Sequence, residues 1–266
     1  MIKHQNEQHI KQYQPLIIAH RGESHDAPEN TLAAVNLAWK RGASAVEVDI
    51  HVTADQKIVV IHDSSTERTT GRKLIINKTS MSDLKKLDAG SWKGSEWAEE
   101  KIPGLAEVLA TVSGGGKVLL EIKSGAGMLK KLRQQTEESG LLSEQIEIIA
   151  EDLNTLATAK QCMPHLKMLW VIECGAPWRR YLSGMHPKAI IRKLRKHGID
   201  GITIGDSRCL TRSFVEEFTS RDIPVYTWTV NDPSRAAELL TFGVDGITTD
   251  RAAWMKKSLK EALKND

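Results

Sequence analysis

Short β-branched apolar runs alternate with helix-length amphipathic stretches from residue 16 almost to the C-terminus, and this alternation limits the chain to few folds. Strands read at residues 16–19, 45–52, 117–122, 146–150, 167–172, 201–204, 224–230 and 246–248. Helices read at 30–41, 105–111, 128–139, 153–162, 187–197, 211–221 and 233–242. Strand, helix and strand in one direction form the unit of a parallel sheet, and eight such strands close most economically into an α/β (β/α)8 TIM barrel. A doubly wound open sheet is the alternative, but no glycine-rich phosphate loop of its usual kind follows the first strand. Helix punctuation agrees: Asn30 and Asp232 stand as N-caps, Pro233 takes a first helical position, and Gly42, Gly198 and Gly243 follow helix ends.

One apolar run, residues 57–61, does not fit the alternation. Only residues 53–56 separate it from the second strand, too few for a parallel crossover, so it must return antiparallel as a hairpin. The return brings His62 to the mouth that holds the end of the second strand. Residues 64–116 then leave the barrel, with a helix at 82–87 and an aromatic loop through Trp92 and Trp97. They show no core of their own and read as an insertion within one domain spanning residues 16–266, behind a polar tail at 1–15.

The net charge of +3 gives no footing for nucleic acid or an anionic membrane surface, which leaves a small molecule as the expected partner. Cys162, Cys174 and Cys209 form no CxxC pair, so neither a disulfide framework nor a zinc site is expected. Reduced thiols, a first segment without an apolar h-region and no apolar run of ~18 residues lead to the expectation of a cytoplasmic protein without stable membrane insertion.

Four strand ends carry ionisable groups: His20-Arg21-Gly22, Glu47 with Asp49, His62-Asp63, and Glu121-Ile122-Lys123. Polar strand ends are common singly, but four at the C-terminal rim of a barrel read as one pocket. Glu47 and Asp49 are two apart on a strand and face the barrel interior together. With Glu121 they make a hard oxygen set suited to Mg2+ or Ca2+ and poor for zinc. Ion pairing with Arg21 and Lys123 is the other use open to these carboxylates. His51 shares their parity but lies higher on the hairpin, where it reads as a solvated or hydrogen-bonded rim residue. Phosphate chemistry needs a base, an acid and positive charge on the phosphoryl oxygens; His20 and His62 can supply the first two, Arg21 and Lys123 the third. Trp228 shares a strand face with Tyr226 and serves either as an apolar wall for substrate carbons or as core packing. Glu29 and Asn30 read as structural, Asn30 capping the first helix and Glu29 holding Arg21.

In chain order, His20-Arg21-Gly22, Pro28-Glu29-Asn30-Thr31, Glu47-x-Asp49, Val60-x-His62-Asp63, Arg68-Thr69-Thr70-Gly71, Leu87-Asp88-Ala89-Gly90, Ile102-Pro103, Glu121-Ile122-Lys123, Trp228-Thr229-Val230-Asn231 and Gly243-Val244-Asp245-Gly246 resemble the glycerophosphodiester phosphodiesterases. The resemblance runs from Ile17 to about Asp250. It implies a barrel with one small insertion, a divalent metal, and hydrolysis of a glycerophosphodiester to sn-glycerol 3-phosphate and an alcohol. It also implies His20 as proton acceptor and His62 as proton donor. The chain departs from the family at Ala150-Glu151-Asp152, where Ser-Phe-Asp is usual, at Asp55-Gln56 in place of Asp-Gly, and at Pro103-Gly104-Leu105 in place of Pro-Thr-Leu. Glu151 would alter the pocket wall. The loop 173–187, with Trp178, Arg179, Arg180 and Tyr181, is a candidate lid or head-group contact. Two other functions fit a barrel of this kind: an inactive phosphate-ligand-binding barrel, and a related phospholipase D or lyase acting on lysophospholipids. A binding module has no need of two proton carriers, and no apolar run marks a lipid surface.

Overall fold

The computed structural model describes residues 15–173 and 186–262. Eight parallel strands form its centre: β1 (Leu16–His20), β2 (Ala45–Val52), β4 (Lys117–Ile122), β5 (Ile146–Ala150), β6 (Lys167–Ile172), β7 (Gly201–Gly205), β8 (Val225–Trp228) and β9 (Gly246–Thr249). Pairing of β1 with both β9 and β2 closes them into the expected barrel. Period-two alternation sorts the side chains. Ile18, Leu119, Ile149, Leu169, Val171 and Tyr226 fill the interior. Val46, Val48 and Ile50 of β2 turn outward, where they join the layer packed under the helices. Burial of both faces explains why these strands read as continuous apolar runs.

The short strand β3 (Ile58–Val60) runs antiparallel to β2, with Ile50 opposite Val60 and Val52 opposite Ile58. Thr53 N–H donates to the Lys57 carbonyl at 2.9 Å across the turn. Gln56 carries a φ of +57° there, a left-handed conformation that glycine adopts without cost and an L-residue at about 1–2 kcal/mol. The familiar Asp-Gly of this turn thus has its reason, and Gln56 meets the requirement under strain.

The insertion differs from its sequence reading: it has a small core. Alternate residues of the hairpin strand divide between two clusters. Ile58 and Val60 join the barrel layer, while Val59 and Ile61 pack with Ile76, Met81, Leu84 and Ile102. The apolar positions of the insertion are scattered through irregular backbone, so no periodicity announced them. The helix expected at 82–87 is Met81–Leu84, with Ser80 accepting from Asp83 N–H at 3.2 Å. Helix caps follow expectation at Asp232 and Gly198, but the first helix, Leu32–Lys40, is capped by Thr31 and not by Asn30.

Candidate active site

The rim of the barrel brings the sequence-predicted residues together. His20, Arg21, Glu47, His62, Glu121, Lys123 and Trp228 line one cavity of about 100 Å³, with Asp49 buried against it. Glu151 and Glu173 stand at the same cavity, so the departure after β5 does face the site. Residues 174–185 of the candidate lid, with Trp178, Arg179, Arg180 and Tyr181, lie outside the described residues.

Strand register sets the carboxylates. Asp49 pairs with Glu121 across β2 and β4, and Glu47 lies two residues earlier on the same interior face. One oxygen from each of Glu47, Asp49 and Glu121 lies within 4.8 Å of the other two. Burial, reinforced by the charges of Asp49 and Glu121, pushes the Glu47 carboxyl well above its usual range. Burial and Asp49 also raise Glu121. Glu47 Oε1 and Asp49 Oδ1 accept no hydrogen bond. Hard anionic oxygens, crowded, desolvated and two of them without donors, are what a divalent cation requires. The alternative use of these groups is present as well: Lys123 Nζ lies 2.6 Å from Glu121 Oε1 and 3.5 Å from Asp49 Oδ1, and Arg21 Nε lies 3.1 Å from Asp49 Oδ2. Two cations facing three carboxylates leave the layer net negative, so the ion pairs and a cation are compatible. Burial alone would lower both Lys123 and Arg21, but the surrounding carboxylates outweigh it and hold both raised and charged.

Arg21 is placed by its backbone. At a φ of +54° it turns sharply off β1, donates its N–H to Glu47 Oε2 at 3.0 Å, and sends its guanidinium to Glu29 Oε1 at 2.8 Å. Gly22 completes the turn at φ +84°, and a Cβ there would lie 2.5 Å from the Ala34 backbone. Asn30, read as a cap, is a site residue instead. Its Nδ2 donates to Asp49 Oδ2 at 2.8 Å and its Oδ1 accepts from Asp49 N–H at 3.1 Å. At φ +58° it cannot serve as the extended residue that precedes a helix.

Each histidine has its own carboxylate. His20 Nδ1 donates to Asp250 Oδ1 at 2.7 Å, a residue the sequence reading did not single out. Asp250 also accepts from Asn231 Nδ2 at 2.6 Å and Ser24 Oγ at 3.2 Å. Burial works against its charge, but these bonds hold its carboxyl at about 2. His62 Nδ1 donates to Asp63 Oδ1 at 2.7 Å, and Asp63 Oδ2 accepts from Arg68 Nε at 2.7 Å. Arg68 then makes a two-pronged pair with Glu29, both contacts 2.8 Å. With each Nδ1–H committed to a carboxylate, each Nε2 is left free to exchange a proton with a bound ligand. His51 is buried; its Nε2 donates to the His62 carbonyl at 3.0 Å, its Nδ1 lies 2.9 Å from Ser124 Oγ, and burial lowers its pKa. It supports the hairpin and points no atom at the carboxylate cluster. The signal that could have found Asp250 was its place directly after β9, the strand-end rule applied once more.

The chain matches the glycerophosphoryl diester phosphodiesterase family over residues 20–253. It is similar to a glycerophosphodiester phosphodiesterase of Caldanaerobacter subterraneus subsp. tengcongensis, 32% identical over 244 residues that cover 88% of this chain and 93% of that one. A putative glycerophosphodiester phosphodiesterase of Bacillus subtilis is 33% identical over 234 residues, with 88% and 93% covered. Among solved structures, an Oleispira antarctica phosphodiesterase in complex with the product sn-glycerol-3-phosphate aligns with a TM-score of 0.76 at 29% identity, over 92% of this chain and 97% of that chain. No helix among the described residues is long and apolar enough to cross a membrane. The family match begins at the rim histidine of β1 and ends in the last helix, so it takes in every element that builds the site, and the chain belongs to the glycerophosphoryl diester phosphodiesterase family.

Proposed function

We propose that the protein hydrolyses glycerophosphodiesters to sn-glycerol 3-phosphate and an alcohol by proton transfer between His20 and His62. The observation that carries this reading is the pair of carboxylate-oriented imidazoles lining one cavity with two charged donors and three crowded carboxylates. Arg21 and Lys123 bind the phosphoryl oxygens and offset the charge that builds as the ester is attacked. Trp228 lies against the glycerol carbons, and its indole N–H, which has no acceptor among the described residues, can donate to a glycerol hydroxyl. Glu47, Asp49 and Glu121 are the residues that hold a divalent cation, Mg2+ or Ca2+. Bound there, the cation supplies positive charge at the phosphate and relieves the repulsion among its ligands.

The first nucleophile is the glycerol 2-hydroxyl. An oriented intramolecular group has an effective concentration of roughly 10⁵ M or more, which water does not match. His20 Nε2 takes the hydroxyl proton as the oxygen forms its bond to phosphorus. The bond to the head-group oxygen breaks, and His62, which enters the step protonated on both ring nitrogens, delivers its Nε2 proton to it. Water then opens the cyclic phosphate as the two imidazoles exchange roles. The test is release of sn-glycerol 3-phosphate from a glycerophosphodiester, and of 3-hydroxypropyl phosphate from its 2-deoxy analogue. The analogue should turn over at least about a hundredfold more slowly. Near-normal hydrolysis of it would rule out the cyclic route, and no release from either compound would overturn the function.

A further inference from the structure

We infer that a second cleft, between the insertion and the loop after β4, is the subsite for the departing alcohol, and that it selects polyhydroxylated or anionic alcohols over ammonium-bearing ones. This inference rests on the function just proposed. Clefts that hold a whole small ligand run to about 300–1,000 Å³. The catalytic cavity, at about 100 Å³, falls short of that, so a diester bound at Arg21 and Lys123 must extend into adjoining space. The adjoining cleft measures about 620 Å³, and Lys123 belongs to both walls.

Its position agrees with the chemistry. One wall is Ile75, Asn77 and Lys78 of the insertion; the other runs from Ser124 to Met128. His51 forms part of the lining and ties the two walls to the proton donor, bonding Ser124 Oγ with one ring nitrogen and the His62 carbonyl with the other. A group that leaves with a proton from His62 therefore leaves on this side. Ile149, Val171, Thr203, Trp228 and Thr248 also line the catalytic cavity, a mostly uncharged wall that suits the invariant glycerol.

The charge of the cleft decides the class of alcohol. Its charged side chains are Lys78 and Lys123, and among the described residues neither a carboxylate nor a Trp, Tyr or Phe ring lines it. A quaternary or primary ammonium is recognised by aromatic faces or carboxylates and would here lie beside two like charges. Ser64 and Asn77 offer hydrogen bonds to hydroxyls, Lys78 offers charge to a second phosphate, and Ile75 and Met128 cover the carbon skeleton.

The experiment compares kcat/KM for glycerophosphoglycerol, glycerophosphocholine and the methyl ester of glycerol 3-phosphate, whose leaving group is too small to enter the cleft. The wild type should favour glycerophosphoglycerol over glycerophosphocholine by about tenfold, the ratio a difference of 1.4 kcal/mol produces. Lys78→Glu and Gly127→Glu each put a carboxylate in the cleft. Both positions are exposed, and a Cβ at Gly127 meets nothing within 4 Å, so the fold should persist. Each variant should shift the ratio toward the choline ester by about fivefold, less in high salt, and leave the methyl ester unchanged. A wild type that favours the choline ester, or a ratio unmoved in both variants while the methyl ester is still cleaved, would overturn the subsite. Failure of all three esters would instead overturn the function beneath it.

Discussion

His20 and His62, the two histidines of the proposed mechanism, are built from different parts of the molecule. His20 stands on β1 and takes its carboxylate from the end of β9, 230 residues away, where Asp250 is itself gripped by Asn231 and Ser24. His62 stands at the end of a hairpin and takes its carboxylate from the next residue. That carboxylate is braced by Arg68 in the insertion, whose pair with Glu29 returns the chain of contacts to the loop after β1. The side chain of His20 is 17% exposed and that of His62 32%. His20, the proposed proton acceptor, thus belongs to the closed barrel, whose geometry closure dictates, and His62, the proposed donor, to an appendage that local contacts must hold. An acceptor has to meet one constant glycerol hydroxyl, whereas a donor has to serve leaving groups of varied size, and the two supports match those duties.

The largest effect should come from the layer that both histidines serve. Exhaustive chelation should lower turnover by on the order of 10³-fold or more, restored by Mg2+ or Ca2+, because the crowded carboxylates otherwise repel the phosphate. His20→Ala and His62→Ala should each cost about 10²–10⁴-fold with thermal unfolding little changed. Full activity after chelation would break the ligand assignment, and a loss under tenfold in either variant would remove that histidine from the mechanism.

The supports themselves should separate next. Asp250→Asn should lower kcat by roughly 10²-fold, since the amide permits the wrong imidazole tautomer, an effect of the kind measured for a triad aspartate. Asp63→Asn should cost less, about tenfold, because His62 keeps its carbonyl bond to His51 and water can replace part of the exposed contact. The measurement is the pH profile of kcat for the two variants; equal losses would erase the contrast between barrel and appendage.

The same contrast carries a pH signature. Asp250 lies at about 2 in the folded protein against an ordinary 3.8, so it stabilises the native state above pH 3.8 and loses that contribution as pH falls through about 2. The stability gap between wild type and Asp250→Asn, read from denaturant midpoints, should be constant above pH 5 or so and close across that window. A gap that widens in acid would contradict the His20–Asp250 pairing. The smallest effect concerns the hairpin that carries His62. Gln56→Gly should stabilise the protein by about 0.5 kcal/mol, the relief of left-handed strain less the entropy glycine adds to the unfolded chain. Destabilisation would show that the Gln56 side chain contributes more than its backbone costs.

Much of this was legible in the residues. Short apolar runs alternating with capped helices specify a parallel barrel, and the residues 53–56 are too few for anything but a hairpin. Strand-end charge then identified Glu47, Asp49, Glu121, His20 and His62, since in this fold the ends of parallel strands meet at one rim. Those inferences depend on distances along the chain, and the backbone's own periodicity carries them. The supports were not legible in that way. Asn30 looked like a cap because Asn commonly is one, yet its left-handed backbone turns it to Asp49 and passes the cap to Thr31. Asp250 looked like an ordinary residue before the last helix until barrel closure set β9 beside β1. The insertion's core had no period to betray it and was assembled from Val59, Ile61 and scattered apolar residues of irregular backbone. Sequence alone determined which elements form and which end of each is charged, because those are short-range properties of the chain. Which carboxylate orients His20 was decided only when the barrel closed, because a hydrogen bond between residues 230 positions apart depends on a register that no local pattern encodes.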